Sequence, residues 1–135
     1  MVRIILGVIV GFMVWSIVWV GGQSTISALS PDWYGANIAA GQKAMAEGSS
    51  IMMDTGTALV NLALSIAASF IAGYMCALAA GEYRRSTMAL GIILIIVGVV
   101  VEFMFWNVAP AWYHILFVLL LYPITVIGGR LRRPN

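Results

Sequence analysis

The sequence predicts an all-α fold, a four-transmembrane-helix bundle with a short amphipathic interfacial helix in the first loop. Three observations predict it. Hydrophobic residues make up 62% of the 135 and charged residues only 9%, against roughly 25% charged in an ordinary soluble domain. Four apolar runs reach or approach the roughly 20 residues that cross a hydrocarbon core about 30 Å thick. No polar segment is long enough to fold separately, so residues 1–135 are read as a single integral membrane domain.

The first run predicts a helix over about 4–21. It is longer than the roughly 7 to 15 apolar residues of a signal peptide, and no Ala-x-Ala pattern lies between Gly21 and Ser30, so a retained helix is expected. Gly7 and Gly11 have the spacing that lets a neighbouring helix approach closely. Residues 22–54 turn polar and form the one long loop, expected on the extracytoplasmic side. Within it, Ser30-Pro31-Asp32 has the form of an N-cap, a first-turn proline and a first-turn acid, and Gly48 the form of a stop. A short helix near 31–47 should therefore rest Trp33, Tyr34, Ile38 and Ala39 on the membrane interface and pair Lys43 with Glu47 on its wet side.

The second span, about 56–80, has faces that differ in side-chain size. Thr57, Asn61, Ser65, Ala68, Ala72, Cys76 and Ala79 share one side, and Leu59, Leu62, Ile66 and Phe70 the other. Lipid supplies little hydrophobic force between helices, so small and hydrogen-bonding residues mark the packed face. This helix should be central, with its large side chains toward lipid. A polar turn, 81–86, leads to a third span over about 87–107, where Gly91, Gly98 and Glu102 share one face and point at a neighbour. Pro110 breaks that helix. The fourth span covers about 111–128, with His114, Val118, Leu121 and Thr125 on one side and Pro123 expected to kink its last turns.

Charge placement orients the chain. Arg3, Arg84, Arg85, Arg130, Arg132 and Arg133 fall at one end of a four-span bundle and only Lys43 at the other. The positive-inside rule then puts both termini in the cytoplasm. Trp15, Trp19, Trp33, Trp106 and Trp112 all map to the opposite half, as an interfacial belt of amphipathic rings would.

The chemistry concentrates in one stretch, where Glu102 and the only histidine, His114, interrupt apolar sequence. Glu102, His114, Asn61 and Thr57 come to similar depth near Asp54. An ionisable residue at such a place is a functional hypothesis by default. The weightier expectation is a structural polar cluster that ties three helices together, because both groups lie near the interface, where burial costs least. A substrate, ion or proton site is the competing one.

Other chemistries find little support. One cysteine, Cys76, allows no intramolecular disulfide and no Cys/His metal spacing, and no basic stretch interleaved with aromatics suggests nucleic acid. Asp54-Thr55-Gly56 spells the aspartic-protease triplet but leads into a membrane helix, so Asp54 is read as its N-cap. A lone histidine offers no facing pair of haem ligands. No cofactor and no enzyme activity are expected.

At Ile71-Ala72-Gly73-Tyr74-Met75-Cys76-Ala77-Leu78-Ala79 and Trp112-Tyr113-His114 the chain resembles a group of small, uncharacterised four-helix bacterial inner-membrane proteins. The resemblance implies a bacterial inner membrane and no activity. Small multidrug-resistance transporters share helix number and length, but their essential glutamate lies in the first helix, which here has no acid. The favoured expectation is a non-enzymatic accessory or assembly subunit, in contact with lipid and with other membrane subunits or its own copies. The alternative is a small homo-oligomeric transporter or channel using Glu102.

Overall fold

The computed structural model describes residues 1–132, so Arg133 of the basic tail lies outside the described residues. The chain is all-α. Helix α1 (Val2–Leu29) is followed by a π-helical turn (Pro31–Gly35) that continues into α2 (Ala36–Glu47). Then come α3 (Thr55–Ala80), α4 (Arg84–Met104), a 3-10 turn (Trp106–Val108) and α5 (Ala111–Arg130). The four long helices α1, α3, α4 and α5 are apolar and long enough to cross a membrane.

Helix α3 is central. It packs most extensively on α1 and α5, while α4 leans mainly on α5. Its predicted face from Thr57 to Cys76 is buried, but the buried arc is wider than expected and takes in Ala58, Ser69, Gly73 and Ala77. Leu62, expected at lipid, is only 7% exposed and belongs to the core. A helix with neighbours on several sides buries more than one stripe. Ala79, at the end, is half-buried.

The predicted glycines make the contacts their spacing suggested. A methyl group added at Gly7 would stand 2.7 Å from the Ala80 Cβ, and one at Gly11 2.8 Å from the Cys76 Cβ. Gly91 faces the Tyr122 ring and Gly98 the Leu121 side chain. The closest approach had no place in the sequence reading. Gly73 lies directly on the Thr125 carbonyl and Gly128 on the Phe70 carbonyl, so α3 and α5 touch backbone to backbone. Small residues are therefore spent inside the chain, and large aliphatic side chains such as Ile9, Ile17, Leu59, Ile96 and Leu119 cover its outside.

Several boundaries differ from expectation. Helix α1 runs eight residues beyond 21, to Leu29, with the Thr25 hydroxyl donating back to the Gly21 carbonyl at 2.8 Å. Polar residues end an apolar run without ending a helix, and at 28 residues and about 1.5 Å each α1 overreaches a 30 Å core. The loop from 22 is thus shorter than predicted. Helix α4 starts at Arg84, three residues early, because the Glu82 carboxylate accepts from the backbone amides of Arg85 (2.9 Å) and Ser86 (2.7 Å). It ends at Met104 rather than 107, which leaves Glu102 in its last turn. Helix α5 continues past Pro123 to Arg130.

The basic residues gather as predicted at one end. The Arg3 guanidinium lies against Gly81, and Gly129, beside Arg130, lies against Thr87 at the start of α4. Helices α2 and the 49–54 segment lie at the other end, tied to the α4–α5 connection by Ile51 donating to the Asn107 carbonyl at 3.2 Å and Met53 to that of Val108 at 2.8 Å.

Candidate functional site

At the end away from the arginines the bundle opens into a cavity of about 110 Å³. Each wall comes from a different element. Helix α1 contributes Trp19 and Gln23, α2 Ile38, Gly41 and Gln42, α3 Asn61, α4 Val101 and Glu102, and α5 Tyr113 and His114, with Met53, Phe105, Val108 and Ala109 from the connections.

The Glu102–His114 pair forms one side. Glu102 is 6% exposed and His114 2%, and the Glu102 Oε2 is in direct contact with the imidazole Nδ1. It is the only contact at ion-pair distance between an acidic and a basic side chain among the described residues. Helix ends produce it: Glu102 sits in the last turn of α4 and His114 in the first turn of α5, joined by a connection short enough to bring the two turns side by side. The second ring nitrogen, Nε2, lies 3.3 Å from the Trp106 carbonyl. The Trp106 indole stacks on the imidazole at 4.8 Å between centroids, and Tyr113 meets it edge-on at 5.6 Å. Behind the pair, on the outside of α4 and α5, an apolar groove of about 320 Å³ is lined by Val99, Phe103, Trp106, Ile115, Val118 and Leu119, and it too reaches Glu102 and His114.

Asn61 joins the same cavity but not the pair. Its Oδ1 accepts from the Tyr34 hydroxyl, and its amide nitrogen lies 3.8 Å from the Met53 sulfur. Thr57 and Asp54 stay apart from both. The Thr57 hydroxyl is buried without a hydrogen-bond partner among the described residues, and so is that of Ser65. Asp54 caps α3 as expected, accepting from the Thr57 amide at 3.3 Å, and also from the Trp33 indole at 2.9 Å. That bond and the Asn37 amide oxygen facing the Asp54 N–H at 3.4 Å fasten the start of α2 to the start of α3.

Three expectations need correction here. Tyr34 does not rest on the interface: it is fully buried, because the face Tyr34, Ile38, Gly41, Ala44 turns inward, with Ile38 and Gly41 on the cavity wall. Burial pushes the Tyr34 hydroxyl above its ordinary pKa, against the opposing effect of the Gln23 side chain, so it remains a donor. Lys43 and Glu47 are both exposed and form no ion pair. Trp15 and Trp19 are not belt residues. Trp15, 8% exposed, donates to the Ser69 hydroxyl at 3.1 Å, and Trp19 stacks on it at 5.7 Å. Indole inside a membrane bundle needs a partner for its N–H, and Ser69 supplies it.

The residues that sequence reasoning missed are Tyr34, Trp19, Gln23, Gln42 and Tyr113. For Tyr34 the available signal was periodicity in the loop helix, where 34, 38, 41 and 44 repeat at three to four residues with small side chains at the last two. Comparison with family models, with curated proteins and with solved structures finds no match for the chain. Four long apolar helices are consistent with a small four-helix membrane protein, and no family is identified.

Proposed function

We propose that this small polytopic membrane protein is a non-enzymatic, homo-oligomeric transporter of the carrier kind that handles its solute at the Glu102 cavity. One observation carries the reading: a carboxylate more than nine-tenths buried forms part of the wall of a partly open cavity. Beyond the cavity the interior is filled by Leu90, Leu94, Phe117 and Leu121, all nearly or fully buried, so a standing pore through one chain is the less apt picture. His114 is engaged by Glu102 and, among the described residues, hydrogen-bonds to no Ser, Thr or Cys side chain. In reconstituted vesicles, a proton-linked solute flux should be present in the parent and lost in a folded Glu102→Gln variant, since an amide exchanges no proton near neutral pH. Flux retained by that variant would sink the proposal.

The second reading, an accessory or assembly subunit, is favoured by the cross-helix bonds Trp15 to Ser69, Tyr34 to Asn61 and Glu102 to His114. Each joins two elements, as purely structural polar groups would. Purification from native membrane separates the readings, because a stoichiometric larger partner supports the subunit and a clean homo-oligomer the carrier.

For placement we propose the bacterial inner membrane, with the arginine-rich end and both termini cytoplasmic. A cysteine at exposed Ser49 should react with an impermeant maleimide in intact cells and one at exposed Arg85 should not. The reverse pattern would invert the orientation. Native Cys76 is buried and leaves the background low.

A further inference from the structure

The hydrogen bonds around His114 count its protons. A carbonyl oxygen only accepts, so the contact of Nε2 with the Trp106 carbonyl places a hydrogen on Nε2. Nδ1 and the Glu102 Oε2 are in direct contact, and two bare lone pairs there would repel, so one further proton lies between them. The pair together is neutral and holds a single shared, exchangeable proton.

The rest of the cavity has the character of a cation site waiting on that proton. Among the described residues no Lys or Arg lines it, whereas the aromatic side chains Trp19 and Tyr113 and the amide side chains Asn61, Gln23 and Gln42 do. Aromatic rings attract desolvated cations, and a carboxylate is the strongest acceptor an ammonium can find. A bare metal ion is the poorer fit, since no three acidic, histidine or cysteine side chains gather among the described residues and hard cations take six or more oxygens. The volume of about 110 Å³ limits the guest to a few heavy atoms.

We propose that the cavity binds a compact primary alkylammonium ion, which takes the Glu102 carboxylate in exchange for the proton shared with His114. One cation enters, one proton leaves to solvent, and His114 remains as neutral imidazole with its hydrogen on Nε2. No other group accounts for the proton. Glu102 is the only titratable residue of α4 at the cavity, α5 adds His114 and Tyr113, the α1 and α3 walls add none, and Tyr34 is held on Asn61. Asp32, Lys43, Glu47 and Asp54 line no part of it. The inference rests on reading the cavity as a solute site and needs no transport.

The test is titration calorimetry of the full chain in nanodiscs with ethylammonium, in buffers of differing ionisation enthalpy. The expected result is one proton released per ethylammonium bound and an affinity that rises about tenfold per pH unit, with ethanol and sodium not competing. Glu102→Gln should abolish binding. Ile38→Trp, which fills the cavity from α2 and leaves the pair intact, should abolish it as well and serves if Glu102→Gln fails to fold. No binding by the folded parent, binding undiminished in both cavity variants, or binding without proton release would overturn the inference. A proton-linked flux of some other solute would then leave the carrier reading standing, while ethylammonium bound with proton release but never moved would remove only that reading.

Discussion

At the arginine-rich end, α3 and α5 meet backbone to backbone at Gly73 and Gly128. At the other end the same two helices contribute Asn61 and Tyr113 to the wall of a cavity. The first contact uses no polar side chain and leaves no room. The second is held by Tyr34 on Asn61 and by Glu102 on His114, bonds that reach across space instead of closing it. The contrast teaches how a bundle without a hydrophobic driving force combines rigidity with a site. Dispersion between close backbones sets the geometry at one end, and directional bonds hold the other open.

The contrast breaks most readily at Gly73. Gly73→Leu would drive a side chain into the Thr125 carbonyl, so its cost should exceed the roughly 1 to 3 kcal/mol of ordinary overpacking. Gly21→Leu, which has nothing within reach of its new Cβ, should change little. Equal losses of folded protein in a detergent unfolding titration would refute the close contact. At the open end, Glu102→Leu strands the His114 Nδ1 and should cost about 1 to 3 kcal/mol, with Glu102→Gln losing distinctly less by the same titration. A smaller effect is expected from Asp54→Ala, about 1 kcal/mol for the lost cap of α3, seen with a blue- or red-shifted Trp33 emission as its indole loses its partner.

The smallest effect concerns pH. Burial works upward on the Glu82 carboxyl, but the amides of Arg85 and Ser86 outweigh it and hold its pKa below the ordinary carboxylate range. A lowered folded-state value means that its contribution is complete above the unfolded pKa and is lost as pH falls through the folded one. Parent protein should therefore lose slightly more stability on acidification than Glu82→Gln. An identical acid limb in the two would show that the α4 start does not depend on this carboxylate.

Much of this was legible in advance because lipid imposes simple rules. Span number, the small-residue arc of α3 and the facing of Glu102 with Gly91 and Gly98 follow from period and size. The end of α1 was hidden because Gly21 to Ser30 is polar, and polarity marks where lipid stops and not where hydrogen bonding within a helix does. Leu62 was hidden because a helix touched from several sides buries large residues as well as small ones. Of the polar candidates, Glu102, His114 and Asn61 come to one cavity, while Thr57 and Asp54 do not. Depth alone placed all five together, and rotation about the helix axis, which decides the matter, depends on which neighbour each helix meets. Tyr34 escaped because nothing local says that α2 folds back over the bundle.

The order of the chain gives the pair a further consequence. Glu102 leaves the ribosome twelve residues before His114, and α5 also carries the carbonyl and the glycine against which α3 closes. A nascent chain that has inserted α1 to α4 therefore exposes a solitary carboxylate near the membrane boundary and an α3 lacking half its seat. Docking of α5 therefore does two things at once, giving the carboxylate its imidazole partner and α3 the rest of its packing surface.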